Sequence, residues 1–138
     1  MGKTLIFTDA DYSANAINPQ DIHMTTSYDN TQIWGMVTED TTNKYVNISG
    51  NIVSNNNFCY IMIDINYYSK IVISGYSGTT TGSFHTSANP SPSTFISVVS
   101  MQREGNISNY EVNVPNGAKY FALNLWKNKN NYSFTKTN

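Results

Sequence analysis

The stretch YEVNVPNGAKYFALNLW, residues 110–126, decides the fold. Val112 and Val114 alternate with polar neighbours, which is the period of a half-buried strand. Pro115 removes a backbone donor, and Asn116 and Gly117 tolerate positive φ, so the chain turns there. Ala118 to Trp126 then runs as a second strand. Its Phe121, Leu123 and Leu125 share one face, and Tyr120, Ala122, Asn124 and Trp126 share the other. Large side chains on both faces need cover on both, from a second sheet, a ligand or another subunit. The stretch therefore predicts a hairpin whose second strand lies at the centre of a β-sandwich.

The same alternation recurs on either side. Lys3–Thr8 predicts a short opening strand, and Ile33–Thr38 a second that carries Trp34. Lys44–Val53 follows with Val46, Ile48 and Ile52 inward, and Gly50-Asn51 marks a hairpin or bulge within it. Phe58–Ile65 is the clearest strand, with Cys59, Ile61, Ile63 and Ile65 on one face and Phe58, Tyr60, Met62 and Asp64 on the other. Lys70–Tyr76 points Ile71 and Ile73 inward; Thr94–Met101 is a further strand, and 131–137 an edge strand. Asn55–Asn57, Ser77–Ser83 and Arg103–Asn109 read as loops, and Asn89–Pro92 as a stiff turn. No segment sustains a 3.6-residue period, and no 20–50-residue repeat is visible. The expected fold is all-β: an antiparallel β-sandwich of jelly-roll type with eight or nine short strands. Residues 1–20 form an N-terminal arm or first strand, and 21–138 the single sandwich domain.

Charged residues are 12% of the 138-residue chain, about half the usual share for a soluble domain. Asn, Ser and Thr carry solubility instead. Either AT-rich coding or a surface suited to hydrogen-bonding sugars accounts for that composition. A net charge of −1 leaves no electrostatic footprint for nucleic acid or an anionic membrane, and Lys127, Lys129 and Lys136 form only a thin basic tail. No run is apolar enough for membrane insertion or a signal peptide. The single cysteine, Cys59, lies in an apolar run, so it forms no intrachain disulfide and reads as a buried, inert thiol.

Catalysis needs convergent acids, bases, nucleophiles or metal ligands. His23 and His85 fall in polar segments and read as solvated loop residues, with neither HExxH nor GxSxG spacing. Asp9 and Asp11 suit polar capping or, alternatively, a weak calcium site. The expectation is a non-enzymatic protein with no catalytic residues, no metal and no cofactor. Aromatics make up 13% of the chain, and rings beside amides are what carbohydrate recognition requires. Tyr12, Trp34, Tyr67, Tyr68, Tyr76, Tyr120 and Trp126 lie in loops or on the non-core face. Of these Trp34, Tyr67, Tyr68, Tyr76 and Trp126 are the candidate glycan contacts. Phe58, Tyr60, Met62, Tyr120 and Trp126 make the non-core face too apolar for water, as a subunit interface or a glycan groove, and Phe58, Tyr60, Met62 and Tyr120 are the candidate interface residues.

Two stretches carry a resemblance. INYYSKIVISGY (65–76), followed by VPNGAKYFALN (114–124), resembles a jelly-roll module of bacteriophage tail and fibre proteins. That module also occurs in phage-derived or gut-bacterial surface proteins. Its pattern enters a strand with V-x-x-Y-x-K-I-x-I-S-G and opens the last core strand with V-P-x-x-A-K-Y. ADYSANAI (10–17) is similar to a segment that precedes such modules. Where members often carry Tyr-Asp-x-x-x-Lys, this chain has Val99 to Glu104, so that loop does not transfer. The resemblance implies a virion protein, a tail, fibre or capsid-decorating attachment module assembled in the bacterial host cytoplasm, that forms a homo-oligomer, commonly a trimer. Other virion proteins and host-surface glycans are its implied partners. A carbohydrate-binding module of a gut-bacterial glycan-utilisation system, at the cell surface or secreted, is the alternative. The resemblance transfers no binding residues.

Overall fold

The computed structural model describes residues 4–8, 33–38, 42–129 and 132–137, the first two segments and residue 133 by backbone alone. Tyr12, His23, Asp9 and Asp11 lie outside the described residues. Ten strands are described, and every pairing is antiparallel. β1 (Thr4–Thr8) pairs with β2 (Ile33–Thr38). The other eight form two sheets, as the alternating apolar pattern predicts. Five belong to one sheet: β3 (Thr42–Val46), β4 (Ile52–Asp64), β9 (Tyr120–Trp126), β6 (Thr80–His85) and β7 (Phe95–Ser100), in that order across it. β10 (Ser133–Thr137), β5 (Lys70–Ser77) and β8 (Gly105–Asn113) form the other. Among the described residues no helix is long and apolar enough to cross a membrane.

The aliphatic interior lies between the sheets. Cys59, Ile61 and Ile63 of β4, Phe121, Leu123 and Leu125 of β9, and Phe84 of β6 meet Ile71 and Ile73 of β5 and Phe134 of β10. All are essentially inaccessible to water. Burying each large side chain stabilises the fold by about 1.5–3 kcal/mol. Phe84 meets Phe121 edge-on at 4.9 Å, and Phe134 stacks on Phe121 at 5.9 Å, tying the layers together.

Residues 110–126 do not form a hairpin. β8 pairs with β5, whereas β9 lies in the other sheet between β4 and β6. The Pro115–Gly117 turn carries the chain across the sandwich, with Gly117 at φ 85°. Val114 N–H donates to Ser69 O on one side, and Lys119 N–H to His85 O on the other. Alternation within each strand marks a buried face, and two such strands bury those faces better in opposite layers than side by side. The Ser77–Ser83 loop is also corrected: β6 begins at Thr80, and Thr81, Gly82 and Ser83 are buried. Likewise β8 begins at Gly105, inside the expected 103–109 loop.

The cover for the outer face of β4 and β9 comes from the chain itself. Pairing of β3 with β4 jumps from Thr42–Cys59 to Lys44–Ser54, so Asn55–Asn57 are surplus and β4 kinks there. Beyond the kink the β3–β4 hairpin folds over the outer face. Val46 N–H donates to Asn124 Oδ1 (3.0 Å), and Asn124 Nδ2 donates back to Val46 O (2.9 Å). Val46, Tyr60 and Ala122 form a second small buried cluster against Met62. The hairpin turn reaches Phe95, whose Cβ would lie 2.8 Å from a Cβ built on Gly50. Of the three residues expected inward on this segment, only Val46 is; Ile48 and Ile52 are exposed, because the curled hairpin presents them to solvent.

Candidate functional site: an aromatic strip at one end of the sandwich

The kink brings aromatic rings together. Tyr45 of β3 lies 5.1 Å from Phe58, which lies 4.3 Å from its cross-strand partner Trp126. Trp126 in turn meets Tyr76, from the end of β5 in the opposite sheet, edge to face at 5.8 Å. All four rings are half-buried, so the strip closes one end of the sandwich while part of it faces water. Trp126 is fixed from behind: its N–H donates to the buried Tyr132 hydroxyl at 3.0 Å. Burial pushes the Tyr132 pKa up to about 12, so that hydroxyl stays protonated. The indole Nε1 is buried beside Gly78 and has no hydrogen-bond partner among the described residues. A cavity of ≈ 10 Å³ behind the strip, touching Ser77, Thr81, Asn124 and Tyr132, has room for one water and no more. A larger ligand would not fit this cavity.

Two lysines border the strip. Lys129 Nζ sits 4.5 Å from the centre of the Tyr76 ring, and Lys127 Nζ donates to Asn43 Oδ1. Asn43, at φ 60°, is exposed opposite the kink, as are Asn56 and Asn57. The strip therefore combines stacking surface, amides and ammonium groups. The structure joins Tyr76 and Trp126 from among the sequence candidates. Phe58, assigned to a subunit interface, belongs here too. Sequence alternation could not show Tyr45, Asn43, Lys127 and Lys129 converging, because the kink that unites them follows from an unequal strand pairing.

Tyr67 and Tyr68 lie elsewhere, at the turn after β4. Phe58 and Asp64 are six residues apart on one strand, so this turn is about 20 Å from the strip. Tyr67 is 89% exposed at φ 73°, and Lys136 Nζ lies 4.9 Å from the Tyr68 ring. Asp64 ends the strand and accepts the Asn66 N–H at 2.9 Å. Trp34 falls on β2, where only backbone is described. Of the residues assigned to an interface, Tyr60 is already buried inside the chain under the hairpin and has no face left for a second subunit. Met62 and Tyr120 are half-buried.

His85 is not a solvated loop residue. It ends β6 and is fully buried. Its Nε2 lies 2.7 Å from Ser83 Oγ, and its Nδ1 lies 3.0 Å from Thr94 Oγ1. Thr94 Oγ1 accepts the Ser91 N–H and directs its own proton at Ser91 O, so it accepts from His85 Nδ1–H. The tautomer is then neutral, with Nε2 accepting from Ser83. A serine beside an imidazole is the outline of a nucleophile and base. Here both are sealed, and the Nδ1 partner is a hydroxyl that ties down the 86–94 loop.

Burial lowers the His85 pKa below 6.5. The unfolded chain then takes up a proton first, so the stability contributed by neutral His85 is present above pH 6.5 and is lost as pH falls below it. Urea midpoints should drop more steeply from pH 7 to pH 5 in the wild type than in a His85→Gln variant. Parallel curves would refute the sealed imidazole. Cys59 is inaccessible, and burial pushes its pKa up to about 12, which leaves a neutral, unreactive thiol. Among the described residues no group of three or more His, Cys, Asp or Glu could hold a metal ion. Comparison with protein-family models, curated proteins and solved structures returned no match.

Proposed function

We propose that this chain is a non-enzymatic, glycan-contacting β-sandwich module of a bacteriophage tail or fibre protein. The observation that carries the glycan reading is the Tyr45–Phe58–Trp126–Tyr76 strip, partly open to water and bordered by Asn43 and Asn57. Apolar sugar faces stack on such rings while hydroxyls bond to amides, and a preformed strip loses little entropy on binding. The virion setting rests on the sequence likeness at 65–76 and 114–124. It carries with it a jelly-roll connectivity and a trimer, in which Met62 and Tyr120 are the half-buried apolar residues available to a neighbour.

A glycan array tests the reading. Trp126→Ala should reduce retained binding roughly tenfold or more, the loss typical of a central aromatic contact. Tyr67→Ala, at the far turn, should leave it unchanged. Thermal melts of both variants separate lost contact from lost fold. Binding that survives Trp126→Ala in a folded protein would dispose of the strip as a site. Light scattering of the purified chain separates the two carriers: a trimer supports a virion protein, and a glycan-binding monomer supports a module of a bacterial glycan-utilisation system.

A further inference from the structure

We infer that the strip selects acidic polysaccharides, those bearing carboxylate or sulfate groups, over neutral ones. The inference rests on the glycan reading above and deepens it. Lys127 and Lys129 follow Trp126 directly, on the short turn that leaves β9, and the Lys129 N–H closes that turn onto Trp126 O at 3.1 Å. The turn thus delivers two ammonium groups beside one row of rings, one of them over its Tyr76 end. The Lys127 N–H donates to Asn57 O, next in sequence to Phe58, its Nζ donates to Asn43 Oδ1, and Lys129 stands over Tyr76. Among the described residues no carboxylate pairs with either lysine; the described ion pair, Lys70 with Glu111 at 2.9 Å, belongs to the other sheet. In a chain with only 8 Lys and Arg, two of them beside the main aromatic strip is a concentration of positive charge that the net charge of −1 conceals.

The physics favours an anionic occupant. The Lys129 ammonium covers the Tyr76 face, so a sugar stacks on the remaining rings with that ammonium at one end of its track and Lys127, held by Asn43, beside it. A neutral pyranose hydroxyl can accept a hydrogen bond from either ammonium but brings no opposite charge. A uronate or sulfated sugar adds the Coulomb attraction between opposite charges to the same hydrogen bond. Both lysines are half-buried, so screening by solvent is incomplete.

The test uses the whole chain and three soluble polymers in affinity electrophoresis: polygalacturonate, dextran sulfate and unsubstituted dextran. The wild type should bind one or both acidic polymers roughly tenfold more tightly than dextran, and the preference should weaken at high salt. Polygalacturonate and dextran sulfate distinguish carboxylate from sulfate as the group recognised. The double variant Lys127→Gln, Lys129→Gln should abolish the preference while keeping any dextran binding. Trp126→Ala should reduce binding of all polymers. Equal binding of acidic and neutral polymers, needing Trp126 but indifferent to the lysines, would overturn this inference and leave the glycan reading intact. Acidic binding that ignores Trp126 would also overturn it, as general polyelectrolyte attraction. Failure of all three polymers, and of the array above, would count against both.

Discussion

Replacing Gly82 by alanine is expected to destabilise the protein by about 3 kcal/mol or more, the upper end of the range for an overpacked core. Gly82 sits in β6 between Leu123 of β9 and Val99 of β7. A Cβ there would lie 2.3 Å from Ala122 O and 2.5 Å from Phe121 Cζ. The first obstacle is backbone in a central strand and cannot move without breaking the ladder. The second is a ring wedged between Phe84 and Phe134. The control is Gly117→Ala, where φ is 85° but nothing lies within 4 Å, so only the backbone strain of about 1–2 kcal/mol applies. Urea unfolding of both variants gives the comparison. A Gly82→Ala protein within 1 kcal/mol of wild type would mean that β6 does not pack under Phe121 as described.

Gly82 also shows where the sequence stopped being readable. Thr80 to Ser83 is a run of small polar residues, and on composition it is a loop. It is a strand because β6 lies between two neighbours whose large side chains fill the space, so small residues are what fit. By contrast 58–65 and 120–126 carry their own alternation, and their register in the sheet follows it residue by residue from Phe58–Trp126 to Asp64–Tyr120. Fold class was legible because alternation is local. Strand partnership was not: the same turn chemistry at Pro115–Gly117 serves a hairpin or a crossing between sheets, and only the distant partner Ser69 decides which. The site was half legible for a related reason. Tyr76 and Trp126 stood out as surplus rings, but their union with Tyr45, Phe58 and the two lysines needs the kink at Asn55–Asn57. The burial of Tyr60 under its own hairpin had no local signal.

That hairpin supplies the second large effect. Asn124 offers Val46 both an acceptor and a donor, copying a strand's edge with one side chain, and its Nδ2 also reaches Thr80 O at 3.3 Å. Asn124→Leu keeps the approximate shape but strands Val46 N–H and O in a buried site, at about 1–3 kcal/mol for each unpaired group. Asn124→Asp should be worse at neutral pH. It retains the acceptor for Val46 N–H but turns a second carboxylate oxygen toward the Val46 and Thr80 carbonyls, a buried and uncompensated charge worth about 3–5 kcal/mol. The sign of its pH dependence follows. Desolvation and the two carbonyls raise the introduced carboxyl above the ordinary aspartate value, so the folded variant binds a proton more readily than the unfolded one. Its deficit relative to wild type should therefore shrink as pH falls toward 4, where a protonated carboxyl can donate to Val46 O much as the amide did. Limited proteolysis at neutral pH should cut the 47–51 turn of both variants before the sandwich is attacked, because the hairpin is released while the main core persists. A tolerated Asn124→Leu, or an Asn124→Asp deficit that grows on acidification, would mean that the hairpin does not lie on this face, and the cover for Tyr60 and Ala122 would have to come from elsewhere.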